Sequence, residues 1–187
     1  MAILGTSNAD VLVGTSGTDT ILAGGGNDTV LAGAGHDIVN GGTGNDIISG
    51  GAAADTLGGG AGNDVIHGGT GNDVIIGGGG RDIMSGGAGA DTFVFNRATD
   101  SVVGVGQRDV ILDFQVGVDK IGLSALGLHA ADIDLSHYYA GANASNAYAQ
   151  LLRISSHHDG VYDMEIQLNT QHSGIAVMLT DLLGVLP

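Results

Sequence analysis

The sequence predicts an all-β fold, a right-handed parallel β-roll of ten nonapeptide repeats capped by a β-rich C-terminal segment. Three observations predict it. A nine-residue period runs from Gly5 to Val94 without insertion or deletion. The sixth position of every unit is Asp: Asp10, Asp19, Asp28, Asp37, Asp46, Asp55, Asp64, Asp73, Asp82 and Asp91. The eighth position of every unit is apolar, running from Leu12 and Ile21 through to Met84 and Phe93.

Each unit reads as a turn followed by a strand. Glycines at the first, second and fourth positions give the backbone access to positive φ and to close approach, so six residues can turn tightly. Asn at the fifth position (Asn27, Asn45, Asn63, Asn72) tolerates the left-handed region as well. The remaining three residues form a short strand whose middle side chain points inward, because side chains alternate across a strand. Two units close one coil of 18 residues, so alternate units stack.

Stacking sorts the Asp into two columns, one from Asp10 to Asp82 and one from Asp19 to Asp91. Rungs of a parallel sheet lie about 4.8 Å apart, which places successive carboxylates about 5 Å apart. Each such contact costs roughly 1 to 3 kcal/mol of repulsion at an effective dielectric of ~20 to 80. Eight contacts together rival the roughly 5 to 15 kcal/mol that holds a domain together. A counter-ion is therefore expected. Calcium takes six or more oxygens, carboxylate and carbonyl alike. Stacked turns offer paired Asp side chains, with backbone carbonyls of Gly24, Gly26, Asn27, Gly33, Gly35, His36, Gly42, Gly44, Asn45, Gly60, Gly62, Asn63, Gly69, Gly71 and Asn72 as further candidate ligands. Up to about eight Ca²⁺ fit between rungs, about +16 against the chain's net −15. Zinc would require His or Cys at regular spacing, and magnesium keeps its waters.

Composition supports this reading. Of 36 glycines, 27 precede residue 95, which sets a boundary between a roll (1–94) and a C-terminal half (95–187). Only five residues are Lys or Arg, so the electrostatic footprint of a nucleic-acid or anionic-membrane binder is missing. Cysteine is absent, excluding disulfides and thiolate metal sites. The first residues do not read as a Sec signal peptide, and no apolar run reaches the roughly 18 residues of a membrane span. In the C-terminal half, 92–95, 109–114, 120–123, 151–154, 164–168 and 175–179 read as strands, with a turn and one short helix near 130–132 between 127 and 145.

The nonapeptide G-G-x-G-x-D-x-U-x, U being apolar, resembles the calcium-binding RTX repeat. Gly86–Phe95, then Asp109-Val110-Ile111-Leu112-Asp113-Phe114, Gly117–Ile121 and Leu123–Leu126, are similar to the end of the roll in serralysin-type proteases and mannuronan C5-epimerases. Asp163–Leu168 resembles the epimerase R-modules more closely. The resemblance implies a non-enzymatic module that leaves the cell through a type I exporter. It further implies an uncleaved C-terminal signal around Asp181–Pro187 and folding on extracellular calcium. A fused N-terminal catalytic domain and an anionic polysaccharide such as alginate are the partners it suggests, with a stand-alone adhesion protein as the alternative.

Other groups read as structural. His157-His158-Asp159 and the neighbouring Ser155 and Ser156 read as a solvated turn. Asp109, Asp113 and Asp119 read as caps and surface charges, with a last calcium site as the alternative. Outward-facing Val11, Thr29, Ile47, Val65 and Ile83 form an apolar stripe that requires a cover, either the C-terminal half or another copy or domain.

Overall fold

The computed structural model describes residues 1–101, 107–115, 117–123, 133–134, 149–154 and 164–170. The chain winds as a parallel β-roll of about five coils. The repeat strands are β1 (Ala2–Leu4), β2 (Val11–Val13), β3 (Thr20–Gly25), β4 (Thr29–Ala34), β5 (Ile38–Thr43), β6 (Ile47–Ala52), β7 (Thr56–Ala61), β8 (Val65–Thr70), β9 (Val74–Gly79), β10 (Ile83–Ala88) and β11 (Thr92–Val94). Odd-numbered strands stack in one sheet and even-numbered strands in the other. The register advances by 18 residues per coil, as in Ile38↔Thr56 and Ile47↔Val65.

The strands are longer than the sequence suggests. Most run for six residues, from the seventh position of one unit to the third of the next. Second-position glycines pair across coils, as Gly24 with Gly42 and Gly42 with Gly60. Parallel pairing therefore continues into the glycine-rich run, and only three residues remain for the turn.

The eighth-position side chains fill the lumen. Ile21, Val30, Ile48, Leu57, Ile66, Ile75 and Phe93 are fully buried. Each stacks on the residue 18 positions away, so the core is a double column of aliphatic side chains. Ile111 and Ile121 extend it, and Phe93 meets Phe114 with ring centroids 6.3 Å apart.

Beyond the repeats, a 3₁₀ turn (Ala98–Asp100) leads to β12 (Asp109–Phe114) and β13 (Lys120–Gly122), which pair in parallel with β10 and β11. The strands β14 (Ile133–Asp134), β15 (Ala149–Ile154) and β16 (Met164–Thr170) follow. β16 runs parallel to β12 and antiparallel to β15. These strands prolong a sheet at its end. Val11 and Ile47 stay 73% and 52% exposed while Thr29, Val65 and Ile83 are half-buried, so the described residues cover the outer stripe only in part. The expected strand 175–179, the helix near 130–132, the 155–159 cluster, the C-terminal signal segment, His129, His137 and His172 lie outside the described residues.

Candidate metal centre

The turn that carries each Asp is shaped by glycine. Second- and fourth-position glycines from Gly24 to Gly89 adopt positive φ. A Cβ there would strike the backbone one rung below: at Gly42 it meets the Gly24 carbonyl, at Gly44 the Gly26 carbonyl. First-position glycines have ordinary φ, contrary to expectation, and are needed for space. Ideal Cβ atoms at Gly41, Gly50, Gly59 and Gly68 would meet the Asp Oδ2 of their own repeat together with the first-position carbonyl of the rung above. Ala23 and Ala32 hold this position in the third and fourth repeats and are buried in the lumen.

Fifth-position Asn does not use the left-handed region either. Ala53, at φ 79°, is the only non-glycine residue with positive φ among the described residues. The Asn side chains form a ladder instead: Asn27 Oδ1 accepts from the Asn45 N–H at 2.8 Å, Asn45 from Asn63 at 2.7 Å, and Asn63 from Arg81 at 2.8 Å. Asn72 accepts from Ala90 at 2.9 Å. At His36, the one predicted ligand residue in this position that is not Asn, Nδ1 lies 2.9 Å from the Ala54 carbonyl.

The Asp columns are continuous hydrogen-bonded chains. From Asp28 onward, Oδ1 of each repeat Asp accepts the backbone N–H of the Asp one rung below. The distances are 2.8 Å from Asp10 to Asp28, 2.8 Å from Asp28 to Asp46 and 2.8 Å from Asp46 to Asp64. In the other column they are 2.7 Å from Asp19 to Asp37, 2.8 Å from Asp37 to Asp55 and 2.8 Å from Asp55 to Asp73. The chains run on past the last repeat: Asp82 N–H donates to Asp109 at 2.7 Å and Asp91 N–H to Asp119 at 3.0 Å. Asp113 accepts from the Gly86 and Gly87 amides and closes the last glycine turn.

The second oxygen is different. Oδ2 of Asp28, Asp37, Asp46, Asp55, Asp64, Asp73, Asp82, Asp91 and Asp109 is buried without a hydrogen-bond partner. A buried unpartnered carboxylate oxygen is costly. Burial, opposed by the backbone N–H bond and reinforced by neighbouring carboxylates, pushes Asp64 up to about 7 and Asp55 to about 6. Burial likewise pushes Asp109 up to about 8, with Asp82 and Asp100 adding to it. A cation placed among these oxygens removes both penalties at once.

The donor set suits a hard cation. Among the described residues no three carboxylate or imidazole side chains converge on one point, so the remaining ligands must come from the backbone. The carbonyls of Gly24, Gly26, Gly33, Gly42, Gly44, Gly60, Gly62, Gly69 and Gly71 point from one rung to the next. Those of Gly59, Gly68, Gly77 and Gly86 face Oδ2 from the rung above and were missed in the sequence, though the first glycine of each repeat signals them. Carboxylate and carbonyl oxygens in this mix are calcium chemistry.

Comparison with known proteins agrees. Residues 4–39, 32–66 and 58–93 match the family described as the RTX calcium-binding nonapeptide repeat (4 copies). The AlgE6R3 subunit of the Azotobacter vinelandii mannuronan C5-epimerase is 31% identical over 88% of this chain and 72% of its own, with a TM-score of 0.43. The AlgE6R2 subunit of the same organism's mannuronan C5-epimerase is 26% identical over 100% of this chain and 94% of its own, with a TM-score of 0.46. The chain belongs to the RTX calcium-binding repeat family. No curated protein matches the chain. RTX repeats bind calcium and are not catalytic.

Proposed function

We propose that this RTX chain is a non-enzymatic calcium-binding module that folds when calcium fills its Asp columns. The observation that carries the reading is the row of buried, partnerless Oδ2 atoms facing backbone carbonyls between rungs. In this reading residues 1–94 form the roll and 95–187 its cap. From Asp28 onward the repeat Asp side chains, with the first-, second- and fourth-position carbonyls, hold calcium, which supplies positive charge and nothing redox or hydrolytic. Sites of extracellular modules bind at about 10⁻⁴ to 10⁻³ M. Such a chain stays open at cytosolic calcium, passes a type I exporter, and closes outside, where it stabilises or targets the protein of which it is part. Far-UV circular dichroism tests this. The chelated chain should lack sheet signal and gain it cooperatively at millimolar calcium, with magnesium a poor substitute. A sheet spectrum indifferent to chelator would overturn the reading.

A second reading makes the chain an accessory module for an anionic polysaccharide, favoured by the sequence likeness of Asp163–Leu168 to epimerase R-modules. Titrating alginate oligomers into the calcium-loaded protein, followed by NMR, tests it; no perturbation at millimolar ligand removes it.

A further inference from the structure

The interior Asp residues divide their oxygens by direction. Oδ1 reaches back to the N–H of the rung before, and Oδ2 faces the first-position carbonyl of the rung after. An Asp with a free Oδ2 therefore serves the gap between itself and the next rung.

At the start of the roll that oxygen is not free. Asp10 Oδ2 accepts the Thr6 N–H at 2.6 Å and the Thr6 hydroxyl at 2.8 Å. Asp19 Oδ2 accepts from Thr15 in the same way, at 2.6 and 2.8 Å. Thr6 and Thr15 stand at the second position, where later repeats carry glycine with positive φ. The threonine amide and hydroxyl occupy the lone pairs that later repeats leave open. At the far end Asp82 and Asp91 are fully buried and keep a free Oδ2. The rung after each is supplied by Asp109 and Asp119, outside the nonapeptides. The columns then close: Asp119 Oδ2 accepts the Gln115 N–H at 2.8 Å, and Asp109 N–H donates to Ser101 Oγ at 2.8 Å in place of a further carboxylate.

We propose that the calcium sites are displaced one coil toward the C-terminus relative to the repeats. In one column they lie at Asp28–Asp46, Asp46–Asp64, Asp64–Asp82 and Asp82–Asp109. In the other they lie at Asp37–Asp55, Asp55–Asp73, Asp73–Asp91 and Asp91–Asp119. The gaps Asp10–Asp28 and Asp19–Asp37 are closed by threonine. The repeat count gives eight sites, and so do the free Oδ2 atoms that have an Asp on the next rung, but they are different ones. The ninth free Oδ2, on Asp109, belongs to a residue paired with Ile166 and has no Asp on the rung after it. Two of the eight join the roll to β12 and β13, so calcium fastens the C-terminal strands to the repeats.

This inference rests on the calcium reading above, and one experiment separates their failures. Native mass spectrometry of the calcium-saturated full chain should show eight ions. Asp109→Asn and Asp119→Asn should each show seven, while Asp10→Asn and Asp19→Asn keep eight. Thr15→Gly restores the full G-G-x-G-x-D turn at residues 14–19 and should show nine. Where Asp109→Asn or Asp119→Asn fails to fold, Thr15→Gly carries the test, because it adds a site. Seven ions in Asp10→Asn or Asp19→Asn, or eight in Thr15→Gly, overturns the displacement. No calcium on the unmodified chain overturns the calcium reading itself.

Discussion

Replacing Ala53 by glycine should strengthen the roll at its weakest turn. Ala53 holds the fourth position of the sixth repeat at φ 79°, where glycine stands in the repeats on either side. A non-glycine residue in that region carries about 1 to 2 kcal/mol of steric strain. Glycine removes the strain but loosens the unfolded chain, which costs about 0.4 to 1 kcal/mol. The net gain is about 0.5 to 1 kcal/mol. For a chain of this size that raises Tm by roughly 1 to 4 °C. The turn presents Asp55, whose Oδ1 accepts from Asp37 and whose N–H donates to Asp73. Part of the gain should therefore appear as tighter calcium binding. Thermal melts at fixed, limiting free calcium measure the first effect and a calcium titration the second. For the same reason Asp46→Ala, in a strain-free turn, should lose more affinity than Asp55→Ala. An Ala53→Gly protein that melts no higher, or binds calcium no better, refutes the strain argument.

Acid should partly replace calcium: burial raises Asp55, Asp64 and Asp82 above their unfolded values, to about 6, 7 and 6. The folded state then holds more protons than the unfolded one between about pH 4 and 7, so stability of the calcium-free roll must fall as pH rises through that window. Circular dichroism in calcium-depleted buffer should show more sheet at pH 4.5 than at pH 8, and the reverse order would refute it. Asn45→Ala removes the acceptor for the Asn63 N–H; it should cost about 0.5 to 1.5 kcal/mol in a melt at saturating calcium without changing the number of ions bound. Gly60→Ala places a Cβ against the Gly42 carbonyl at φ +111°, whereas Gly79→Ala meets nothing within 4 Å. The first should therefore lower Tm by several degrees and the second leave it unchanged.

The roll was legible because its period is strict and its two residue types do separable jobs. Asp at every sixth position and an aliphatic at every eighth are enough to define coils, columns and lumen. The Asn ladder was not legible in the same way. It pairs residues 18 apart, and glycine-like tolerance explains Asn equally well until the coils are stacked. Asp109 and Asp119 stood out in the sequence as caps and surface charges or a last calcium site, but not as members of the columns, because they follow their column neighbours by 27 and 28 residues, outside the period. A trace was present, since Asp109-Val110-Ile111 and Asp119-Lys120-Ile121 keep the D-x-U half of the repeat after its glycine half has gone. Register confirms it, with Ile111 opposite Met84 and Ile121 opposite Phe93. Thr6 and Thr15 look like degenerate repeats in sequence and prove to be caps. A hydroxyl cap is invisible until its acceptor is placed.

Each interior repeat Asp is hydrogen-bonded to the rung before and the rung after, which makes the roll a one-dimensional lattice of nearest-neighbour couplings. In such a lattice the damage done by a fault depends on where it falls. A lost Asp near residue 28 frays an end, leaving a long run of coupled rungs beyond it. A lost Asp64 divides the column into a run of three rungs (Asp10, Asp28, Asp46) and a run of two (Asp82, Asp109), at or below the roughly three repeats that stacked architectures need for stability. Substitutions of identical chemistry should therefore form a graded series, mild at the first coil and severe at the middle. The far end is spared that grading only if β12 and β13 hold it.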